Sequence, residues 1–293
     1  MTVTHFRTLV HTSWLREQIF AKAAGAKHPV LRILDASATP DPKVDGYKEF
    51  YKQSHVPDAC YFNLHGLCPS SPPSFIKYPV PDVNRFQDYA ESLGLTNDTH
   101  IVTYDRSNTI FALKTWWLFR LFGHTKVSVL DGGFRKWLMD GFEVTVEEPV
   151  IERSSFQPTL NPSLVRSFED MVENIKTKKD QVIDARGAAA FFDDSNVMPP
   201  GTIGGHIPGS KNVPYPVLFN EDGTFKSHEE LRSVFEQAGV DLAQPVVATC
   251  LTAMTACGLA AAAHILGKET VALYNGSFQE WSQRAEPDQI DVD

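Results

Sequence analysis

The chain has 293 residues, 42% hydrophobic and 22% charged, with a formal charge of −9 and a pI near 5.6. This is the composition of a globular protein long enough for two domains. The acidic balance argues against a nucleic-acid or anionic-membrane surface, which needs clustered Lys and Arg, and no apolar run of roughly 18 residues marks a membrane span. A locally positive pocket for a small anion stays compatible with it.

Along the chain, Met1 to His28 sets Arg7, Arg16, Lys22 and Lys27 against one acid, Glu17, a balance also found in mitochondrial presequences. Trp14, Leu15, Ile19 and Phe20 recur at helical spacing, which favours a folded first helix. Short apolar runs predict strands at Arg32–Asp35, Ile101–Tyr104 and Lys126–Leu130, with helices over Asp82–Leu93 and Phe111–Phe122. Pro149, Pro158 and Pro162 then prevent a continuous helix or central strand, so residues 149–163 read as an extended linker between domains at 1–148 and 164–293. In the second half, strands are expected at Val182–Asp184, Val246–Thr249 and Thr270–Leu273, and helices at Glu229–Gln237 and Thr255–Leu266. Alternating strands and helices imply an α/β fold: in each half, a mostly parallel sheet with helices on both faces and ligands at the carboxyl ends of the strands.

The two halves repeat one another. Leu31-Arg-Ile-Leu-Asp35-Ala-Ser37 answers Asp180-Gln-Val-Ile-Asp184-Ala-Arg186, and Ser54-His55-Val-Pro57 answers Gly205-His206-Ile-Pro208. His100-Ile-Val-Thr-Tyr-Asp105 answers Pro245-Val-Val-Ala-Thr-Cys250, and Asp131-Gly-Gly-Phe134 answers Asn275-Gly-Ser-Phe278. Four landmarks in the same order at nearly the same spacing make this a tandem duplication.

Four cysteines, Cys60, Cys68, Cys250 and Cys257, are too few for a disulfide scaffold and contain no Cys-x-x-Cys pair. Neither a zinc site nor a dithiol motif is indicated, and a reducing compartment follows: the cytoplasm, with the mitochondrion as the alternative. Only Cys250 stands between a strand end and a helix start. Backbone N–H groups there form an anion cradle, and the helix N-terminus adds partial positive charge. A thiol so placed is expected to sit largely as its thiolate. Taken alone, Cys250 would equally pass for a small buried hydrophobe. Cys257, two helical turns further on, reads as core, and Cys60 and Cys68 are expected in a loop rich in Ser and Pro, with no chemistry assigned.

On Trp116-Trp117-Leu-Phe-Arg-Leu-Phe122, Asp131-Gly-Gly-Phe134, Gly205-His-Ile-Pro-Gly209, Ala248-Thr-Cys250 and Thr255-Ala-Cys257, the chain resembles the tandem-domain sulfurtransferases of the rhodanese superfamily, especially the mercaptopyruvate branch. The resemblance implies an inert first domain, where Asp105 replaces the nucleophile, and a catalytic second one. It implies nucleophilic catalysis in which Cys250 takes a sulfane sulfur from 3-mercaptopyruvate or thiosulfate as a persulfide, then passes it to cyanide or to a thiol acceptor such as thioredoxin or glutathione. No metal or organic cofactor is implied. Arg186 is expected to grip the donor's carboxylate or sulfonate, its competing role being a salt bridge at a strand end. Thr252 is expected to donate its hydroxyl to a departing enolate unless it merely caps the helix. Leu251, Ala253, Met254 and Thr255 complete the donor-binding loop.

Three departures stand out. Leu251 and Ala253 occupy positions where the mercaptopyruvate branch has glycine, and Ala190 replaces a second arginine, four residues after Arg186. They leave room for a weakly active sulfur carrier or regulatory module. His55 and His206 each open a His-x-Pro turn, so a structural role comes first, with a proton relay the alternative for His55. A cysteine phosphatase is disfavoured, because the sixth residue after Cys250 is Ala256 rather than arginine.

Overall fold

The computed structural model describes residues 7–24, 30–68, 75–193 and 204–292. They form two compact units: residues 7–24, 30–68, 81–161 and 220–225 in one, and 75–80, 162–193, 204–219 and 226–292 in the other.

The first unit comprises β1 (Leu9–Val10), α1 (Thr12–Ala23), β2 (Leu31–Asp35), β3 (Ala59–Tyr61), α2 (Leu64–Leu67), α3 (Val83–Ser92), β4 (His100–Tyr104), α4 (Ile110–Leu121), β5 (Val127–Leu130) and α5 (Gly133–Met139). Its strands pair in parallel in the order β1-β5-β4-β2-β3. The second unit comprises β6 (Val165–Arg166), α6 (Phe168–Thr177), β7 (Gln181–Asp184), α7 (Ala188–Phe191), β8 (Lys211–Asn212), α8 (His228–Gln237), β9 (Val246–Thr249), α9 (Ala256–Ile265), β10 (Ala272–Tyr274) and α10 (Ser277–Arg284). Its order, β6-β10-β9-β7-β8, is the same permutation, again all parallel. The expected α/β architecture is therefore present twice.

Burial explains the composition of the central elements. All four residues of β9 are buried, as a parallel strand covered on both faces requires. Helices α4 and α9 are apolar nearly all round because they too are core elements. The alanines of α9 permit close packing: a Cβ at Gly258 would stand 2.3 Å from the Tyr215 ring. Ser167 with Asp170, and Ser227 with Glu230, form capping boxes that fix the starts of α6 and α8. The edge strands β1, β3, β6 and β8 are two or three residues long, too short for an apolar run to reveal them. The expected first helix is α1, while residues 1–6 and 25–29 of that stretch lie outside the described residues.

Much of the segment expected as a linker, residues 149–161, runs extended along the first unit. Ser154, Thr159 and Asn161 donate backbone bonds to Glu91, Phe122 and Leu121, and Phe156 is fully buried against Phe86 and His124.

The loop after β4 shows what its backbone is shaped to hold. The Asp105 carboxylate accepts the N–H groups of Ser107, Thr109 (3.1 Å) and Ala112 (2.7 Å). Even so, burial outweighs these amides and pushes the Asp105 carboxyl up to about 6 from an ordinary 3.8. The folded chain thus binds a proton there that the unfolded chain has released, and this group's contribution to stability falls as pH rises from 3.8 to about 6. Replacing Asp105 by Asn removes that titration. Urea unfolding should show Asp105→Asn gaining on the parent by on the order of 2 kcal/mol between about pH 4 and about pH 7. A difference that does not vary with pH would contradict this.

Candidate active site

Cys250 is the first residue after β9, unpaired and 2% exposed. Two bonds from the start of α10 orient the loop that follows it. The Phe278 N–H donates to the Cys250 carbonyl (2.9 Å), and the Gln279 N–H to the Leu251 carbonyl (3.0 Å). In a trans peptide the N–H points opposite to its own C=O. With both carbonyls held toward α10, the N–H groups of Leu251 and Thr252 face away from it, toward the open side of the loop. Among the described residues, none of the amides of residues 251–256 has a protein acceptor. Six unpaired donors beside one sulfur, at the head of a ten-residue helix, form an anion cradle.

Two features of this cradle recur in the first unit's loop, although Thr109 is also left-handed there (φ +66°) and the matching Met254 is not. Phe134 N–H donates to the Asp105 carbonyl (3.0 Å) just as Phe278 N–H does to Cys250. Asn108 has φ +52°, and Ala253, at the matching position, has φ +56°. The left-handed turn that glycine or asparagine adopts readily is therefore kept on an alanine, at a cost of about 1 kcal/mol. Cys257 supports it by donating its thiol to the Ala253 carbonyl at 3.3 Å, and is otherwise wholly buried, as a core residue. What differs is the acceptor: the Asp105 carboxylate takes up N–H groups of its own loop, and among the described residues no such bond reaches the Cys250 sulfur.

Ser277 is a part of the site that went unassigned in the sequence. Its Oγ accepts the Cys250 N–H (3.4 Å) and donates to the Tyr274 carbonyl (3.0 Å), at φ +54°. The only signal for it was the repeated Asn275-Gly-Ser-Phe278 landmark. Thr252 is half-buried, and its hydroxyl has no partner among the described residues. The N-cap of α9 is Thr255 rather than Thr252, and it makes no side-chain cap bond, which removes the capping role considered for Thr252. Met254 is buried, Thr255 half-buried, and Leu251 is 45% exposed.

Arg186 forms the strand-end salt bridge that was the competing role for it in the sequence. Its Nε and Nη2 bind the Asp184 carboxylate (2.9 and 2.6 Å), Nη2 also donates to the Gly205 carbonyl (2.8 Å), and Nη1 to the Ala190 carbonyl (3.3 Å). The guanidinium lies 3.9 Å over the Phe278 ring with its side chain 7% exposed. These contacts use four of its five N–H groups. The first unit places Arg106 over Phe134 in the same way, at 3.7 Å, although Arg106 comes from a different strand end. An arginine on that ring is a packing element common to both copies. The strand-end aspartates are satisfied differently: Asp184 by Arg186, and Asp35 by the Tyr104 hydroxyl (2.8 Å) and the Ser37 N–H (2.9 Å).

His55 is wholly buried, with Nδ1 on the Tyr51 carbonyl (2.8 Å), Nε2 on the Glu147 carbonyl (3.0 Å) and its ring stacked on Tyr51. His206 repeats the arrangement, with Nδ1 on the Phe191 carbonyl and its ring stacked on Phe191. Both ring nitrogens of His55 are thus engaged by backbone within its own unit. Among the described residues, no group of His, Cys, Asp and Glu could hold a metal ion, and no helix is long and apolar enough to cross a membrane.

Comparison with known proteins agrees with this duplication. The rhodanese-like domain family matches residues 14–140 and again 167–284. The chain is 42% identical to the thiosulfate sulfurtransferase of Rattus norvegicus, over 97% of this chain and 94% of that protein. It is 38% identical to the 3-mercaptopyruvate sulfurtransferase of Mus musculus, over 97% and 95%. Among solved structures it is similar to SseA from Escherichia coli, a 3-mercaptopyruvate sulfotransferase, at 30% identity and a TM-score of 0.77 over 92% of this chain and 98% of that one. The chain belongs to the rhodanese family and carries that family's domain twice.

Proposed function

We propose that the chain is a sulfurtransferase of the 3-mercaptopyruvate or thiosulfate type, with Cys250 as its nucleophile. The observation that carries this reading is the set of unpaired amides at residues 251–256 around the single unpaired thiol at a strand–helix junction. The Cys250 thiolate attacks the donor's transferable sulfur. With 3-mercaptopyruvate the C–S bond breaks, its electron pair leaves on the pyruvate enolate, and the proton lost by the new persulfide ends on pyruvate. With thiosulfate, sulfite leaves with the pair. The terminal persulfide sulfur, an anion one atom longer than the thiolate, then takes up the cradle's hydrogen bonds. Cyanide or a thiol acceptor such as thioredoxin or glutathione removes that sulfur and restores the thiolate. Thr252, two residues after Cys250 and half-buried, supplies a hydroxyl for the departing enolate. Four unpaired cysteines suit a reducing compartment, cytoplasmic or mitochondrial.

The commitment of Arg186 to Asp184, together with Ala190 in place of a second arginine, supports one alternative: a sulfur carrier that loads Cys250 but turns over slowly. Steady-state turnover with 3-mercaptopyruvate and a reduced thiol separates the two.

Incubation with 3-mercaptopyruvate or thiosulfate should add one sulfur atom to Cys250, seen by intact mass and peptide mapping. Cys250→Ser should abolish loading while Cys257→Ser retains most of it; equal losses would contradict the assignment. Removing Arg186 leaves the Asp184 carboxylate buried without its cation, which typically destabilises by about 3–5 kcal/mol. Arg186→Ala should therefore lower Tm sharply, whereas an unchanged Tm with a raised donor KM would restore the donor-gripping role.

A further inference from the structure

Asp131 and Asn275 open the last landmark of the repeat, and each is the first residue after a strand, β5 and β10. The parallel register of β4 with β5 sets Thr103 against Val129 and, carried two residues further, brings Asp131 opposite Asp105. That of β9 with β10 sets Ala248 against Leu273 and likewise brings Asn275 opposite Cys250, about 4.8 Å away at ordinary strand spacing. Both side chains are buried, 7% and 5% exposed, and each meets the backbone of a segment from the other half of the chain. Asp131 accepts the Phe225 N–H at 2.8 Å, from residues 220–225, which pack in the first unit. Asn275 donates from Nδ2 to the Tyr78 carbonyl at 3.0 Å, from residues 75–80, which pack in the second.

The difference between the two anchors follows from what each arm offers. Tyr78 and Val80 are followed by Pro79 and Pro81, which supply no N–H and hold the residues before them extended. This arm presents a carbonyl, so its anchor must donate, which an amide does and a carboxylate does not. The arm at 220–225 presents an N–H, which a carboxylate accepts. Asn275 also shares a turn with Ser277, whose Oγ accepts the Cys250 N–H, and with Phe278, whose N–H holds the Cys250 carbonyl. One turn therefore carries both the anchor of the arm and the support of the nucleophile.

We infer that Asn275 is a positioning residue: by holding the 75–80 arm it fixes the turn that sets the backbone of Cys250, so that sulfur transfer reaches its full rate only with this piece of the first half docked in the second unit. This rests on the sulfurtransferase reading and adds a structural requirement to it.

Asn275→Asp, nearly isosteric, tests the inference in the full chain. An ionised carboxyl there faces the Tyr78 carbonyl with no proton to give. Once protonated it can donate again, and burial lets it protonate above the ordinary carboxylate range. The single-turnover rate of Cys250 persulfidation, divided by that of the parent at the same pH, should be down about tenfold at about pH 8 and recover by about pH 5. The titratable groups on the surrounding elements are Cys250 itself, Lys77 on the arm, Glu280 paired with Arg284, and Arg166 paired with Asp180. All are common to both proteins and cancel in the ratio. Tryptic cleavage after Lys77 should also be faster in the variant at about pH 8, where the carboxyl is ionised and the arm released. Asn275→Ala should load slowly with no recovery on acidification. Asp131→Asn, whose amide oxygen still accepts the Phe225 N–H, should load as the parent does. A loading ratio for Asn275→Asp that is flat with pH, normal loading while Lys77 is cleaved faster, or equal loading by Asn275→Ala and Asp131→Asn each overturns the inference. Failure of the parent itself to load overturns the sulfurtransferase reading instead.

Discussion

A backbone N–H that finds no carbonyl needs some other acceptor, and the loop after β9 presents such groups from Leu251 to Ala256 beside one sulfur atom. Donors left unpaired on the open side of a loop at a helix start suit a site that meets an anion. The rest of the second unit holds that arrangement in place. The start of α10 pins two carbonyls, Ser277 meets the Cys250 amide, Cys257 fixes the left-handed Ala253, and α9 packs closely on Tyr215 through Gly258.

Duplication provides an internal control. In the first unit the same loop, with the same Phe-to-loop hydrogen bond and the same left-handed residue, closes on a carboxylate built into the chain. Asp105 has no sulfur to transfer and already engages the donors that an anionic substrate would use. One copy therefore uses its loop amides on its own carboxylate, and in the other the matching amides have no acceptor among the described residues. The stacked arginines show a similar correspondence: Arg106 and Arg186 reach the equivalent rings, Phe134 and Phe278, from different strand ends.

The central strands and long helices were legible because each is a run of apolar residues with consistent burial, and the repeat was legible because four landmarks kept their order. Cys250 could be singled out from its place between Thr249 and α9. For Arg186 the sequence left two roles open, because nothing in Asp184-Ala-Arg186 encodes that the guanidinium folds back onto its own aspartate. Ser277 went unassigned for a related reason, since its role comes from a turn after β10 that brings residue 277 to residue 250 after the neighbouring β9, a contact that local spacing does not encode. His55 could be read either way in sequence, and the structure sets it among backbone carbonyls.

The central claim is that amides 251–256 bind the sulfur anion carried by Cys250. Backbone amide chemical shifts of the labelled protein, recorded before and after loading with 3-mercaptopyruvate, test it most directly. Formation of hydrogen bonds to a persulfide anion should move several of these amide protons downfield, with the matching amides around Asp105 unchanged. Loop amides that stay in place while mass spectrometry shows a fully persulfidated Cys250 would contradict the account.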